Sequence, residues 1–337
     1  MLEPWGADSS NSIEPATDET ARVLIHARDC LWQGRVSDAL AAVEKVRDAH
    51  LDVEERSALA LTGIIAKLAL GDLRGAAKFA RELTSLARNP GLVAARSCYG
   101  LGEFSAARGQ AEQAEAQFAR AGEELATLGT RWWLPWRSGA ARLIAARGDV
   151  ATASALVEDE LAEARGADEP YAVAYSLRTQ AAIAPTNDRI AILEEALEVV
   201  DGTGAERLEA QIRTDLAGWL MLLQPDRSAR SVELLRAAEA LAGRQELAPL
   251  LARIHWLLER LGQQPDGELP GRLAELSAAE RRVAQLVVAG KRNREIAEEL
   301  GVSVKSVEWH VSHILRKLSI TSRQDLATAL AQPRQGR

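Results

Sequence analysis

Lys305, Glu308, Trp309, Ser312 and Arg316 recur at three- and four-residue steps, the spacing that gathers side chains onto one face of a helix. They offer an ammonium, a carboxylate, an indole, a hydroxyl and a guanidinium. This set can read base edges: Lys305 suits guanine O6 and N7, Glu308 can accept from the cytosine amino group, and Trp309 can press on a thymine methyl, with Ser312 beside them. A large aromatic on a polar face needs a reason. The bland one is a half-packed surface Trp; the functional one is that this face enters the DNA major groove. Glu308 near phosphates is costly unless Lys305 or Arg316 pairs with it.

Other residues with chemical potential do not assemble. His26, His50 and His255 stand isolated on helical stretches. His310 and His313 lie three apart, a spacing that could suit a metal, but no Cys or carboxylate stands at ligand spacing. Glu123-Glu124 and Glu194-Glu195 read as solvated helix faces. The phosphate-binding pattern G-x-x-x-x-G-K-[ST] is absent: Gly290-Lys291 is the lone Gly-Lys, and Gln285 stands where the first loop glycine would be. No enzyme, cofactor or metal is expected.

The elements that must position the stripe can be read locally. Ser277 and Glu280 form a capping box that starts a helix near Ala278; Val283, Leu286 and Val287 give it an apolar stripe, and Gly290 ends it. A second short helix runs from about Asn293 to Leu300, with Ile296, Ala297 and Leu300 inward. Gly301 breaks it, and Ser303 caps a third helix to about Leu318. Val307, Val311, Ile314, Leu315 and Leu318 form that helix's apolar face. Ser322 and Asp325 cap a fourth, ending near Leu330. Two short helices about a Gly-containing turn outline a helix-turn-helix.

The residues Leu276-Ser277, Glu280, Val283, Gly290, Asn293, Glu295-Ile296-Ala297, Leu300, Ser303, Lys305-Ser306-Val307-Glu308, His310-Val311, Ile314, Lys317-Leu318 and Ser322-Arg323 together resemble the four-helix DNA-binding domain of the LuxR (GerE-type) family. Ala279, Lys291-Arg292 and Ser306 depart from the family's usual residues, at surface positions. The resemblance implies a reader of double-stranded DNA that acts as a homodimer on inverted repeats through its last helix, here 322–330. Within it, Ser303, Ser306, His310, Arg316 and Lys317 hold phosphates. Asn293 and Arg294, at the second helix's N-terminus, add backbone contacts. The chain also resembles the C-terminal half of large ATP-dependent LuxR-type regulators, without their ATPase.

The overall charge of −7 conceals an asymmetry. From Arg272 onward stand 12 Lys+Arg against 7 Asp+Glu, a net of +5, which leaves 29 against 41, or −12, for the remainder. The basic excess falls on the helix-turn-helix, as expected of a DNA reader. Hydrophobic residues make up 47% but aromatic residues only 4%, a profile of packed helices rather than sheets. Two cysteines, Cys30 and Cys98, make no disulfide framework and fit a reduced, cytoplasmic protein. Residues 1–19 read as a disordered lead-in without the basic start and apolar run of a signal peptide. No apolar run reaches membrane-spanning length, so no membrane is expected.

Residues 20–262 are repetitive. Gly34, Gly71, Gly109 and Gly148, followed by Pro185 and Pro225, recur at steps of 37, 38, 39, 37 and 40 residues, within the range of helix-pair repeats. Five residues after each glycine stands an alanine: Ala39, Ala76, Ala114 and Ala153. Glycine ends the first helix of each pair and alanine lets the second pack closely on it. The expected class is all-α: about six pairs stacked as a tetratricopeptide-like α-solenoid. Its units are longer and poorer in aromatics than the usual tetratricopeptide. Segment 263–271 is rich in Gly, Pro and Gln and reads as a linker, 272–332 as the DNA-binding domain and 333–337 as a tail.

One cluster stands out: Arg131-Trp132-Trp133-Leu134-Pro135-Trp136-Arg137. Trp132, Trp133 and Trp136 are either an inter-repeat core plug or the aromatic wall of a ligand groove. The sequence thus describes a DNA-binding transcriptional regulator whose repeats receive a small-molecule or protein effector. The alternative is an interaction scaffold with a vestigial DNA domain.

Overall fold

The computed structural model describes residues 3–4, 19–47, 49–128, 132–264, 276, 278–300, 302–318 and 320–330. Among the described residues, thirteen helices precede residue 265: α1 (Glu19–Gln33), α2 (Val36–Lys45), α3 (Val53–Ala69), α4 (Leu73–Leu86), α5 (Leu92–Ala107), α6 (Ala111–Ala126), α7 (Trp136–Ala146), α8 (Val150–Gly166), α9 (Pro170–Ile183), α10 (Arg189–Val200), α11 (Glu206–Leu223), α12 (Ser228–Arg244) and α13 (Ala248–Arg260). They form six antiparallel pairs with α13 closing the stack. A two-residue parallel bridge joins β1 (Glu3–Pro4) to β2 (Trp132–Trp133). The rest of the expected lead-in, the linker from residue 265 and the tail lie outside the described residues.

The repeat signal has a direct structural meaning. Gly34, Gly71, Gly109 and Gly148 all take positive φ, between 72° and 96°, the conformation that stops the first helix of a pair at little cost to glycine. Ala39, Ala76, Ala114 and Ala153 are each 0% exposed, so the second helix seats its first turn against the first. The last two pairs turn without glycine. Pro185 follows the extended C-cap Ala184, and Pro225 opens a short 3-10 turn.

Polar ladders tie the first helices of successive pairs. Arg142 on α7 donates to Glu103 on α5 at 2.8 Å and to the Tyr175 hydroxyl on α9 at 3.2 Å. Further on, Asp215 on α11 accepts from Arg178 on α9 at 2.7 Å and from Arg253 on α13. Glu160, buried on α8, accepts from the Ser138 and Ser176 hydroxyls of α7 and α9, which satisfies a carboxylate that would otherwise be costly there. The stack curls far enough that Trp32 of the first pair meets Tyr171 of the fifth edge-on, ring centroids 5.1 Å apart.

Four more helices follow among the described residues: α14 (Ala278–Val288), α15 (Asn293–Leu300), α16 (Val304–Lys317) and α17 (Leu326–Leu330). They are not a separate bead. α14 packs on α13, and α17 packs on both α14 and α4.

Candidate nucleic-acid interface

The frame of the site is apolar and local in origin. Val283 of α14, Ile296 and Ala297 of α15, and Val307, Ile314 and the C-cap Leu318 of α16 are buried together. α14 stops where Gly290 takes φ 82° and the Lys291 N–H returns to the Leu286 carbonyl at 3.1 Å. The turn between α15 and α16 closes through Val302 N–H to Ala297 O at 3.0 Å; Gly301 itself lies outside the described residues. Ser303 caps α16, its hydroxyl accepting from Ser306 N–H at 3.0 Å. Across this frame Arg323 clamps the start of α15, donating to Lys291 O at 2.7 Å and Asn293 Oδ1 at 3.1 Å.

On this frame α16 turns its polar stripe outward. Lys305, Glu308, Ser312 and Arg316 are exposed, and Trp309 is 56% exposed. The indole lies flat on His313, ring centroids 4.0 Å apart, with His310 edge-on at 5.0 Å. His313 also accepts from Arg316 at 2.9 Å. Trp309, His313 and Arg316 therefore form one braced strip along the helix. Among the described residues Lys305 and Glu308 carry no ion pair; Glu308 is joined to neither Lys305 nor Arg316, the partners expected from sequence.

Several residues expected to hold phosphates have partners inside the protein. Lys317 donates to Glu280 Oε2 at 2.5 Å. Glu280 is buried, so its carboxylate serves as an anchor for α16, whatever it contributes at the start of α14; Ser277, its expected capping partner, lies outside the described residues. The Ser303 and Ser306 hydroxyls bond each other at 2.8 Å. Asn293 is held by Arg323, and Arg294 is exposed and paired with Glu298 at 3.4 Å. His310 Nδ1 is buried with no partner among the described residues.

The tryptophan cluster does not join this site. Trp136 starts α7 and packs against α6 at Gly122, with Arg137 stacked 4.9 Å from its ring. The side chains of Trp132 and Trp133 lie outside the described residues. A cavity of about 730 Å³ lies elsewhere, at the seam between the repeats and α14–α17. Sequence reasoning missed it because its lining comes from seven helices and the turns between them. Among the described residues, no group of His, Cys, Asp or Glu is placed to hold a metal, and no helix is long and apolar enough to cross a membrane.

The LuxR family of bacterial regulatory proteins (GerE) matches residues 274–330, the span of α14 to α17. This segment is a LuxR-family helix-turn-helix domain. Among its relatives are the transcriptional regulatory protein LiaR of Bacillus subtilis (strain 168) and the oxygen regulatory protein NreC of Staphylococcus carnosus (strain TM300). LiaR is 32% identical over 106 residues, covering 32% of this chain and 47% of that protein. NreC is 47% identical over 51 residues, covering 15% of this chain and 24% of that protein. The chain thus spans less than half the length of these relatives. The helical array is similar in fold to a Rap protein solved in complex with Competence and Sporulation Factor: TM-score 0.52, 11% identity, 89% of this chain and 88% of that one.

Proposed function

We propose that the chain is a transcriptional regulator that binds double-stranded DNA sequence-specifically, with α16 in the major groove and the repeats as its input. The observation that carries this reading is the exposed Lys305–Glu308–Trp309–Ser312 stripe on a helix whose opposite face is locked by Val307, Ile314 and Leu318. A rigid helix with mixed donors, an acceptor and an apolar ring is what base readout requires. Arg316 continues the stripe along α16, where phosphates would pass, and the α15 N-terminus would add backbone contacts. Lys317 is an anchor first, because Glu280 already claims its ammonium.

In this reading residues 272–332 are the output and 20–262 the input, in a cytoplasmic, non-enzymatic protein. Dimerisation through α17 would compete with an existing contact, because Leu326, Ala329 and Leu330 are buried where α17 meets α14 and α4. A dimer built on that helix therefore requires α17 to leave α4. The acidic repeats would supply the switch.

The test is selection by the full chain from a random duplex pool, followed by binding in a salt series. Enrichment should converge on a short, two-fold symmetric motif, with Lys305→Met relaxing preference at a guanine position by about 1–3 kcal/mol. A pool that never converges, together with binding that is indifferent to Lys305, overturns the reading.

A further inference from the structure

Trp309 and His313 stand four apart on α16, the spacing at which side chains on a helix meet. In the fold they do meet: their ring centroids lie 4.0 Å apart, with the planes 27° from parallel. His313 therefore covers one face of the indole, while 56% of Trp309 stays exposed. An exposed side chain ordinarily flips between rotamers within nanoseconds. This one rests against a second ring.

That second ring is itself held. Its Nδ1 lies 3.9 Å from Glu280 Oε1 of α14, and Arg316 donates to it at 2.9 Å. Glu280 is buried, and its other oxygen takes the Lys317 ammonium at 2.5 Å. A line of contacts thus runs from a buried carboxylate of the first helix, through His313, to the exposed indole of the third. His310 adds an edge-on contact at 5.0 Å.

The brace has a consequence for binding. Ordering one free side chain at an interface weakens binding by roughly two- to tenfold. A stack made before the DNA arrives removes that cost. What the fixed ring offers is apolar, and the apolar feature of the major groove is the C5-methyl of thymine.

We propose that His313 is a positioning residue for sequence readout: braced by Glu280, it pre-sets the Trp309 indole to press on a thymine methyl. The proposal rests on the reading that α16 enters the major groove. His313 acts through Trp309 and need touch no base itself.

The test uses the full chain, the duplex it selects and a random duplex as reference. Each thymine of the selected duplex is replaced in turn by deoxyuracil, which removes only the methyl. The parent chain should lose about fourfold at one thymine, the worth of one buried methyl. His313→Ala should bind the selected duplex roughly two- to tenfold more weakly, bind the random duplex as the parent does, and lose most of the discrimination between thymine and uracil. His313→Phe, which keeps a ring against the indole, should retain both affinity and discrimination. His313→Gln, polar but without a ring, should behave as the alanine variant and serves if that variant fails to fold. In a Trp309→Ala background His313→Ala should have no further effect. The proposal is overturned if His313→Ala leaves the selected duplex unaffected, weakens both duplexes equally, or costs as much when Trp309 is already alanine. A selected duplex with no methyl-sensitive thymine also overturns it and leaves the reading of α16 intact. A pool from which no duplex is selected overturns both.

Discussion

Lys317 on α16 and Glu280 on α14 form an ion pair at 2.5 Å, with the carboxylate only 4% exposed. Thirty-seven residues apart, they join the first and third helices of the LuxR-type domain. A lysine whose type and place suggest a phosphate contact is thereby given a structural task. Lys317→Met should destabilise the domain by about 1–3 kcal/mol, because it removes one partner of a buried ion pair. Adding Glu280→Gln should recover part of that loss, read by urea unfolding of the double-mutant cycle. A stable single variant whose DNA binding loses one unit of salt slope would return Lys317 to the phosphates.

Trp309 presents the opposite case. It is exposed and stacked on neighbouring histidines, so Trp309→Ala should leave the melting temperature nearly unchanged. It should weaken the selected duplex by about 1–3 kcal/mol and barely affect random DNA. Loss of cooperative unfolding in this variant would place the indole in the core instead.

Asp215 reports on the repeats. Burial alone would raise its pKa, but Arg178 and Arg253 outweigh that and hold the carboxyl below its usual range. The folded chain therefore keeps this group ionised at acidities where the unfolded chain has begun to take up a proton. The stabilisation is complete above about pH 4 and is lost as pH falls through the lower folded value. Asp215→Asn should cost about 2–3 kcal/mol at neutral pH, and the gap between variant and parent should narrow as pH drops below 4. A gap that is constant with pH would contradict the ion-pair account.

Gly122 tests the role of Trp136. A Cβ at this position would fall 2.5 Å from the indole of Trp136. Gly122→Ala should displace the ring and cost about 1–3 kcal/mol by overpacking, with a shifted tryptophan emission. Unchanged stability and emission would mean that Trp136 is free to move, as a groove wall could be.

Much of this was legible in the chain itself. The Gly-to-Ala spacing marks helix pairs because both residues act within one turn: glycine by its backbone freedom, alanine by its size. Ser303, Gly290 and the alternation of Val307, Ile314 and Leu318 with Lys305, Trp309 and Ser312 work the same way. Glu280 was legible as a cap but not as an anchor, since nothing local links it to Lys317. Glu308 looked in need of a cation on its own helix, yet among the described residues it has no ion pair.

By itself, then, the sequence determined which segments are helical, how they pair and which face of α16 is polar, because helix periodicity and capping depend on residues within a few positions of one another. Only the tertiary structure decided that α17 lies on α4, that Lys317 pairs with Glu280, and that Trp256, Arg282 and Gln285 line one cavity at the seam. Those relations join residues that the chain keeps far apart. They follow from how far six helix pairs curl before the last four helices meet them, a sum of small packing angles that no local pattern records.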